Sequence, residues 1–348
     1  MIRISKTSPG IKISSSENAA AAKARCMYAD MLSPDDYKQL ILCDSVGEVA
    51  TYLNSKKRYA DIFSSERALS SLHRSSLEWL LEKRKYGDYV KLSSYLMGSG
   101  TYIRDFFSSR REANILIRAV SSLGIHGTDE PFHLYLSNFG KNSDIDMHAL
   151  SEAVTYDEIL SSAQRSPYYS ILLKYKSDTA AVDTVHLEAE LWDFIFDDIF
   201  GRIEKLPSAS EREEAYGFFK TYIDSKNISA IARFYGYPEC DGEYIMRSLM
   251  KHGNLSEKKL AELIDGRNDI SQQRGKEIKK LLELGYDSET SVCRKKCKKY
   301  LRYSTHPAII VLSYLYLLEA ELGNIIKIVE GIRYSLAKEQ ITAMISEE

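Results

Sequence analysis

The chain has 348 residues, 44% of them hydrophobic, with 47 Lys and Arg set against 49 Asp and Glu. That is enough apolar material for a sizeable core, and the near-cancelled charge excludes a whole-molecule field drawing the chain to nucleic acid or to an acidic membrane. Prolines (7) and glycines (18) are few beside plentiful Leu, Ala, Glu, Lys, Ser and Ile, which favours helix over a strand-rich fold.

Residues 1–20 are polar and Ser-rich and lack the apolar centre of a signal peptide. Cys26, Cys43, Cys240, Cys293 and Cys297 are odd in number and scattered, with no CxxC pair, so they read as free thiols in a reducing compartment. A short pattern then recurs. Leu32, Tyr37, Leu40 and Ile41 share apolar offsets with Ile145, Leu150, Ala153 and Val154, with Leu255, Leu260, Leu263 and Ile264, and with Leu336, Ile341, Met344 and Ile345. Just after the first apolar residue stand Ser33, Asp146, Ser256 and Ala337, and the first three can accept the unpaired N–H groups of a helix start. Four starts of the same short helix are expected. A second marker accompanies them: Asn114-Ile115 with Arg118, Asn227-Ile228 with Arg233, and Asn324-Ile325. Starts at 32, 145 and 255 suit three related bundles, 21–113, 114–226 and 227–348, rather than a short-period solenoid.

Between the markers lie longer helical patterns. Glu66 to Leu96 carries Leu69, Leu72, Trp79, Leu80, Tyr89 and Leu92 and is broken near Gly87, which reads as two antiparallel helices. Gly124 to Asn142 reads as a loop, as does Gly236 to Gly242 around Pro238. Val182 to Leu206 reads as an amphipathic helix whose acidic face holds Glu188, Asp193 and Asp197. Ser210, with Glu213 three residues on, reads as the cap of the next helix. No run alternates with period two for long enough to make a strand.

Near the C-terminus, Arg294, Lys295, Lys296, Lys298, Lys299 and Arg302 crowd cations beside Tyr300 and Tyr303. Such a run is a solvated helix face, a surface for an acidic protein partner, or a phosphate-binding strip on which tyrosines stack bases. The slightly negative total charge favours the protein partner over nucleic acid. The 24 tyrosines suit interfaces as well as cores, because the ring buries while the hydroxyl stays wet.

From Pro307 begins the helix around which the chain is organised. Thr305 can cap it and Pro307 suits its first turn. Ala308 to Leu318 is apolar except for Ser313, too short a run for a bilayer, which needs about 20 residues, so it reads as a buried core helix running on to Gly331. A shorter helix starts at Leu336-Ala337.

Catalytic and metal chemistry finds no support. His126, Asp129, His133, Asp144, Asp146 and His148 do not follow the spacing of ligands on one helix face, and Cys293 with Cys297 lacks a second ligand pair. No GxxxxGK[ST], GxSxG or GxGxxG is present, so neither an enzyme nor a bound cofactor is expected.

The order Pro307, Tyr314-Leu315, Glu319-Ala-Glu321, Asn324-Ile325, Gly331, Leu336-Ala-Lys-Glu339 and Ile341 resembles the C-terminal signature of one family, the C subunit of archaeal and bacterial V-type (A-type) ATPases, known as the d subunit in eukaryotes. Ala24-Arg25, Leu32, Tyr37 and Leu40-Ile41 agree with that family's first helices. The resemblance implies an all-α funnel of three bundles about a pseudo-threefold axis. It also implies a non-catalytic rotor part, on the cytoplasmic side, joining the central shaft of the ATP-hydrolysing head to the membrane c-subunit ring. Membrane contact would then come only through partner subunits. A helical scaffold or nucleic-acid module centred on 294–302 is the alternative.

Overall fold

The computed structural model describes residues 9–64, 68–123, 143–177, 182–234, 237, 239–266 and 287–345. It is 76% helical, with no strand among the described residues, as the all-α reading expects. The helices in chain order are α1 (Pro9–Ala29), α2 (Pro34–Leu42), α3 (Val46–Asn54), α4 (Arg74–Ser93), α5 (Thr101–Ser121), α6 (Met147–Glu152), α7 (Tyr156–Ser162) and α8 (Tyr169–Lys174). There follow α9 (Thr184–Glu204), α10 (Ala209–Arg233), α11 (Gly242–Arg247), α12 (Glu257–Gly266), α13 (Asp287–Tyr303), α14 (Pro307–Arg333) and α15 (Lys338–Met344). They pack into two compact units. The first comprises Met1–Arg104, Lys205–Thr221 and Lys279–Glu348, the second Asp105–Glu204 and Tyr222–Ile278.

In the first unit α14 is the central element and packs against α1, α2, α3, α4, α13 and α15. Every residue from Ala308 to Leu315 is buried, as the unbroken apolar run requires. By length and composition α14 could cross a membrane, but 78% of its most apolar window is buried inside the protein, which makes it a core helix. Pro307 occupies the first turn as expected, whereas His306 rather than Thr305 is the capping position and makes no side-chain cap bond. Ser304 Oγ instead accepts the His306 N–H at 3.1 Å.

Polar residues of α14 join one buried cluster. Arg58 donates to Asp88 Oδ2 (3.0 Å), to the Tyr314 hydroxyl (2.6 Å) and to the Met27 carbonyl (3.2 Å), and its Nε lies 3.4 Å from Glu321 Oε1. Tyr314 donates to Asp88 Oδ2 at 2.5 Å. Glu321 accepts from the Tyr59 hydroxyl (2.5 Å) and from the Leu32 N–H (2.7 Å). Asn324 hydrogen-bonds Tyr37 beside it. One ionic knot thereby ties the C-terminal end of α1, α2, α4 and α14 together. Close approach finishes this unit: a Cβ at Gly331 would lie 2.6 Å from Ile341 Cγ1, so α15 can seat only over a glycine.

The second unit is built on α9, whose Leu187, Leu191, Trp192, Ile195, Phe196, Ile199 and Ile203 are buried. Trp192 stacks on Phe196 with centroids 5.6 Å apart, and Phe106 and Tyr222 close the aromatic cluster at 6.2 and 6.3 Å from Phe196. A smaller core joins Ile231, Ile245, Leu249, Leu260 and Ile264.

The four short helices are present as α2, α6, α12 and α15. Ser33 Oγ accepts from the Asp36 N–H (3.3 Å), Asp146 Oδ1 from Ala149 (3.0 Å) and Ser256 Oγ from Lys259 (3.3 Å). Ala337 has no acceptor, and Gln340 Oε1 reaches back to its N–H at 2.9 Å. The companion asparagines are not equivalent: Asn114 is exposed, whereas Asn227 and Asn324 are buried.

Two further sequence expectations need correction. Glu66 to Leu96 is not a helix pair; α4 runs unbroken through Gly87, where an added Cβ would meet nothing, so the weak helix former sits at an open position and packing on either side carries the helix. The cap of α10 is Ser208, whose Oγ accepts from the Glu211 N–H at 3.2 Å, because the helix begins one residue before Ser210. Ser210 pairs instead with His306 Nε2 at 2.9 Å. The predicted loop at Gly124 to Asn142 lies outside the described residues, and with it His126, Asp129 and His133.

Candidate partner-binding surface

The basic run lies on α13, and helical geometry splits it in two. Residues spaced three and four apart share a face, so Cys293, Cys297 and Leu301 turn inward toward α14 and are buried. Arg294 is buried on the same side. Lys296 is half-buried and donates to the Thr221 hydroxyl at 3.0 Å and to the Gly217 carbonyl on α10. Lys298 is half-buried at a small recess that Tyr37, Arg294 and Asn324 also line. Only Lys295, Lys299 and Arg302 are exposed.

The helix is pinned at its end. Arg25 Nε donates to the Leu301 carbonyl (2.8 Å) and its Nη2 to that of Ser304 (2.9 Å), satisfying acceptors that a helix C-terminus leaves unpaired. The Tyr300 hydroxyl donates to the Glu214 carbonyl at 3.2 Å, and Ser304 Oγ to Glu214 Oε2 at 2.5 Å. Burial drives the Cys297 thiol well above its ordinary range, so it stays neutral. All five cysteines are free, as expected.

The acidic residues of α9 belong to the second unit and have local partners there. Asp193 accepts the Lys251 N–H at 2.7 Å, with the Lys251 ammonium 3.3 Å away. Burial pushes its carboxyl up, against the lowering effect of Lys251. Asp197 holds His252 Nε2 at 2.7 Å, and His252 adopts a left-handed φ of 69°. Glu188 is half-buried on the same helix. Much of the acidic face therefore serves as the latch for the loop entering α12. Asn227 closes the latch, donating to the Met250 carbonyl and accepting its N–H, both at 2.8 Å. Lys251 and His252 carry no periodic signal in the sequence, because neither follows a helical spacing; the Asn227-Ile228 marker is the signal that leads to them.

An open cleft of about 910 Å³ lies along this latch. Along it Lys174 pairs with Glu190, Lys251 with Asp193 and His252 with Asp197. No group of three or more His, Cys, Asp or Glu placed to hold a metal occurs among the described residues. Asp146 is a helix cap, and His148 lies 3.6 Å from Glu152.

The buried knot consists largely of the positions that carry the resemblance, with Leu32, Tyr37, Tyr314, Glu321 and Asn324 all in it. The family model described as ATP synthase (C/AC39) subunit matches residues 20–344. The chain belongs to that family. No individually curated protein matches it. Membership of the C/AC39 family makes the chain a subunit of a membrane-associated V-type ATP synthase complex. Of the basic run on α13, only Lys295, Lys299 and Arg302 stay exposed.

Proposed function

We propose that this C/AC39 chain is a non-catalytic rotor subunit that joins the central shaft of the ATP-hydrolysing head to the membrane c-subunit ring, for transport of protons or sodium ions. The observation that carries the reading is the family match over residues 20–344. The fold supports it. An adaptor that transmits torque must resist bending, and long helices cross-tied by buried hydrogen bonds, such as α14 by the Arg58 knot, meet that need. It sits on the cytoplasmic side and meets the membrane only through its partner subunits. The three bundles, 21–113, 114–226 and 227–348, arranged as a funnel about a pseudo-threefold axis, belong to the same proposal, with the capped starts of α2, α6 and α12 in their favour.

The test is assembly of the ATPase with and without this chain. Without it, ATP hydrolysis by the head should continue while ATP-driven ion uptake into vesicles is lost, and adding the purified chain should restore uptake. Ion uptake that persists without the chain, or ATP turnover by the purified chain alone, would overturn the reading.

A further inference from the structure

We propose that the exposed stripe of α13, Lys295, Lys299 and Arg302 with Val292 and Tyr303 at its ends, is the docking face for an acidic helix of a neighbouring ATPase subunit; the inference rests on the rotor reading above. The spacing puts the three cations in one line on the helix, over roughly 10 Å at the helical rise. Val292 is 55% exposed and Tyr303 69% exposed, so each end of the line offers apolar surface. Among the described residues no carboxylate pairs with any of the three cations, and the Arg302 guanidinium only rests over the Tyr303 ring at 5.9 Å. The cations of the inward side are already engaged. Lys296 is bound to α10, and Arg294 and Lys298 have contacts of their own.

Cations near a helix C-terminus are favoured by the helix dipole, which accounts for Arg302 in the last turn. That effect fades within the last turn and leaves Lys295 and Lys299 unexplained. The stripe is also held rigid from behind, by Cys293, Cys297 and Leu301 in the core and by Arg25 on the terminal carbonyls, so docking would order side chains but not backbone. A single straight row of three charges matches acids at the same spacing on one helix. A polyanion or a lipid surface would call for a broader basic area, and the chain's formal charge of −2 gives neither any general attraction.

The experiment compares the full chain with the triple variant Lys295→Glu, Lys299→Glu, Arg302→Glu for capture of the remaining ATPase subunits at low and at high salt, with thermal midpoints alongside. Capture by the triple variant should be about tenfold weaker at low salt, mostly through a slower association rate, with the difference shrinking as salt rises. Its thermal midpoint should match that of the unaltered chain. Should the triple variant unfold, the single variants Lys295→Glu and Lys299→Glu carry the same expectation at a smaller effect. Equal capture at low salt by a folded variant would refute the docking face while leaving the rotor reading standing. No capture by the unaltered chain would refute the rotor reading and the docking face together. Binding to phosphatidylserine vesicles or to poly(U) that the triple variant loses, while it still captures the ATPase subunits normally, would assign the stripe to a polyanion and refute the proposal.

Discussion

Removing Arg58 tests whether the buried knot holds the first unit together. Its side chain is 2% exposed, and the carboxylates it faces, Asp88 and Glu321, are each 1% exposed. In an Arg58→Met variant, packing volume is largely kept while both acids lose their common counter-ion. Breaking a buried pair in this way costs about 3–5 kcal/mol, because the Glu321 charge is left without Arg58, whereas Asp88 keeps Arg84 Nε at 3.5 Å. At about 2–4 °C per kcal/mol for a unit of this size, the thermal midpoint should fall by roughly 6–20 °C. Two internal checks separate charge from packing. In a background of Asp88→Asn and Glu321→Gln, Arg58 is itself the orphaned buried charge, so Arg58→Met there should cost nothing or recover stability. The deficit should also shrink in acid. Burial raises the Glu321 carboxyl above its ordinary value, so its protonated form suits the folded state, and that benefit is lost as pH rises through the raised value. Urea unfolding of the four variants from pH 4 to 8 supplies the numbers. A loss under about 1 kcal/mol in the native background, or an equal loss in both backgrounds, would refute the reasoning.

Glu17 and Glu211 form a second buried acidic pair beside Tyr102, and desolvation raises both carboxyls. Raised folded values mean stability present at low pH and lost as pH rises through them, so Glu17→Gln should raise the midpoint above neutrality and flatten the pH profile of unfolding. An unchanged slope would count against the pair. Gly331→Ala should cost about 1–3 kcal/mol by driving α15 off α14, and Ile341→Ala in the same chain should recover part of it, as read by urea midpoints. Ser33→Ala and Ser256→Ala should each cost about 1 kcal/mol through loss of a cap, whereas Ala337→Ser should gain rather than lose stability.

The helical class is legible in the sequence because its signals are local. The caps at Ser33, Asp146 and Ser256 need only a hydroxyl or carboxylate one residue before a helix, and the burial of α14 needs only an apolar run. Local signals mislead where a tertiary contact overrides a local preference. Gly87 interrupts the helical pattern, yet α4 continues because Leu77, Leu80, Leu81 and Leu92 are all buried along it. Ser210 has the sequence neighbours of a cap, but its hydroxyl is taken by His306 from far along the chain. Arg58 is hidden for the same reason: its partners Asp88, Tyr314 and Glu321 are brought to it by folding, and nothing near position 58 announces them.

The charged runs show how far a count of charges misleads about a surface. Six cations crowd into 294–302, but a helix turns each residue by about 100°, so a run of that density must place some of them inward. An inward lysine is tolerable only where acceptors await it, and Lys296 finds them in the Gly217 carbonyl and the Thr221 hydroxyl. Asp193 of α9, 14% exposed, obeys the same constraint and is taken up by Lys251. On α13 these internal claims leave Lys295, Lys299 and Arg302 exposed, the row proposed above as a docking face. Because that remainder is a row and not a patch, the order of charges along a partner helix, more than their number, should decide what binds it.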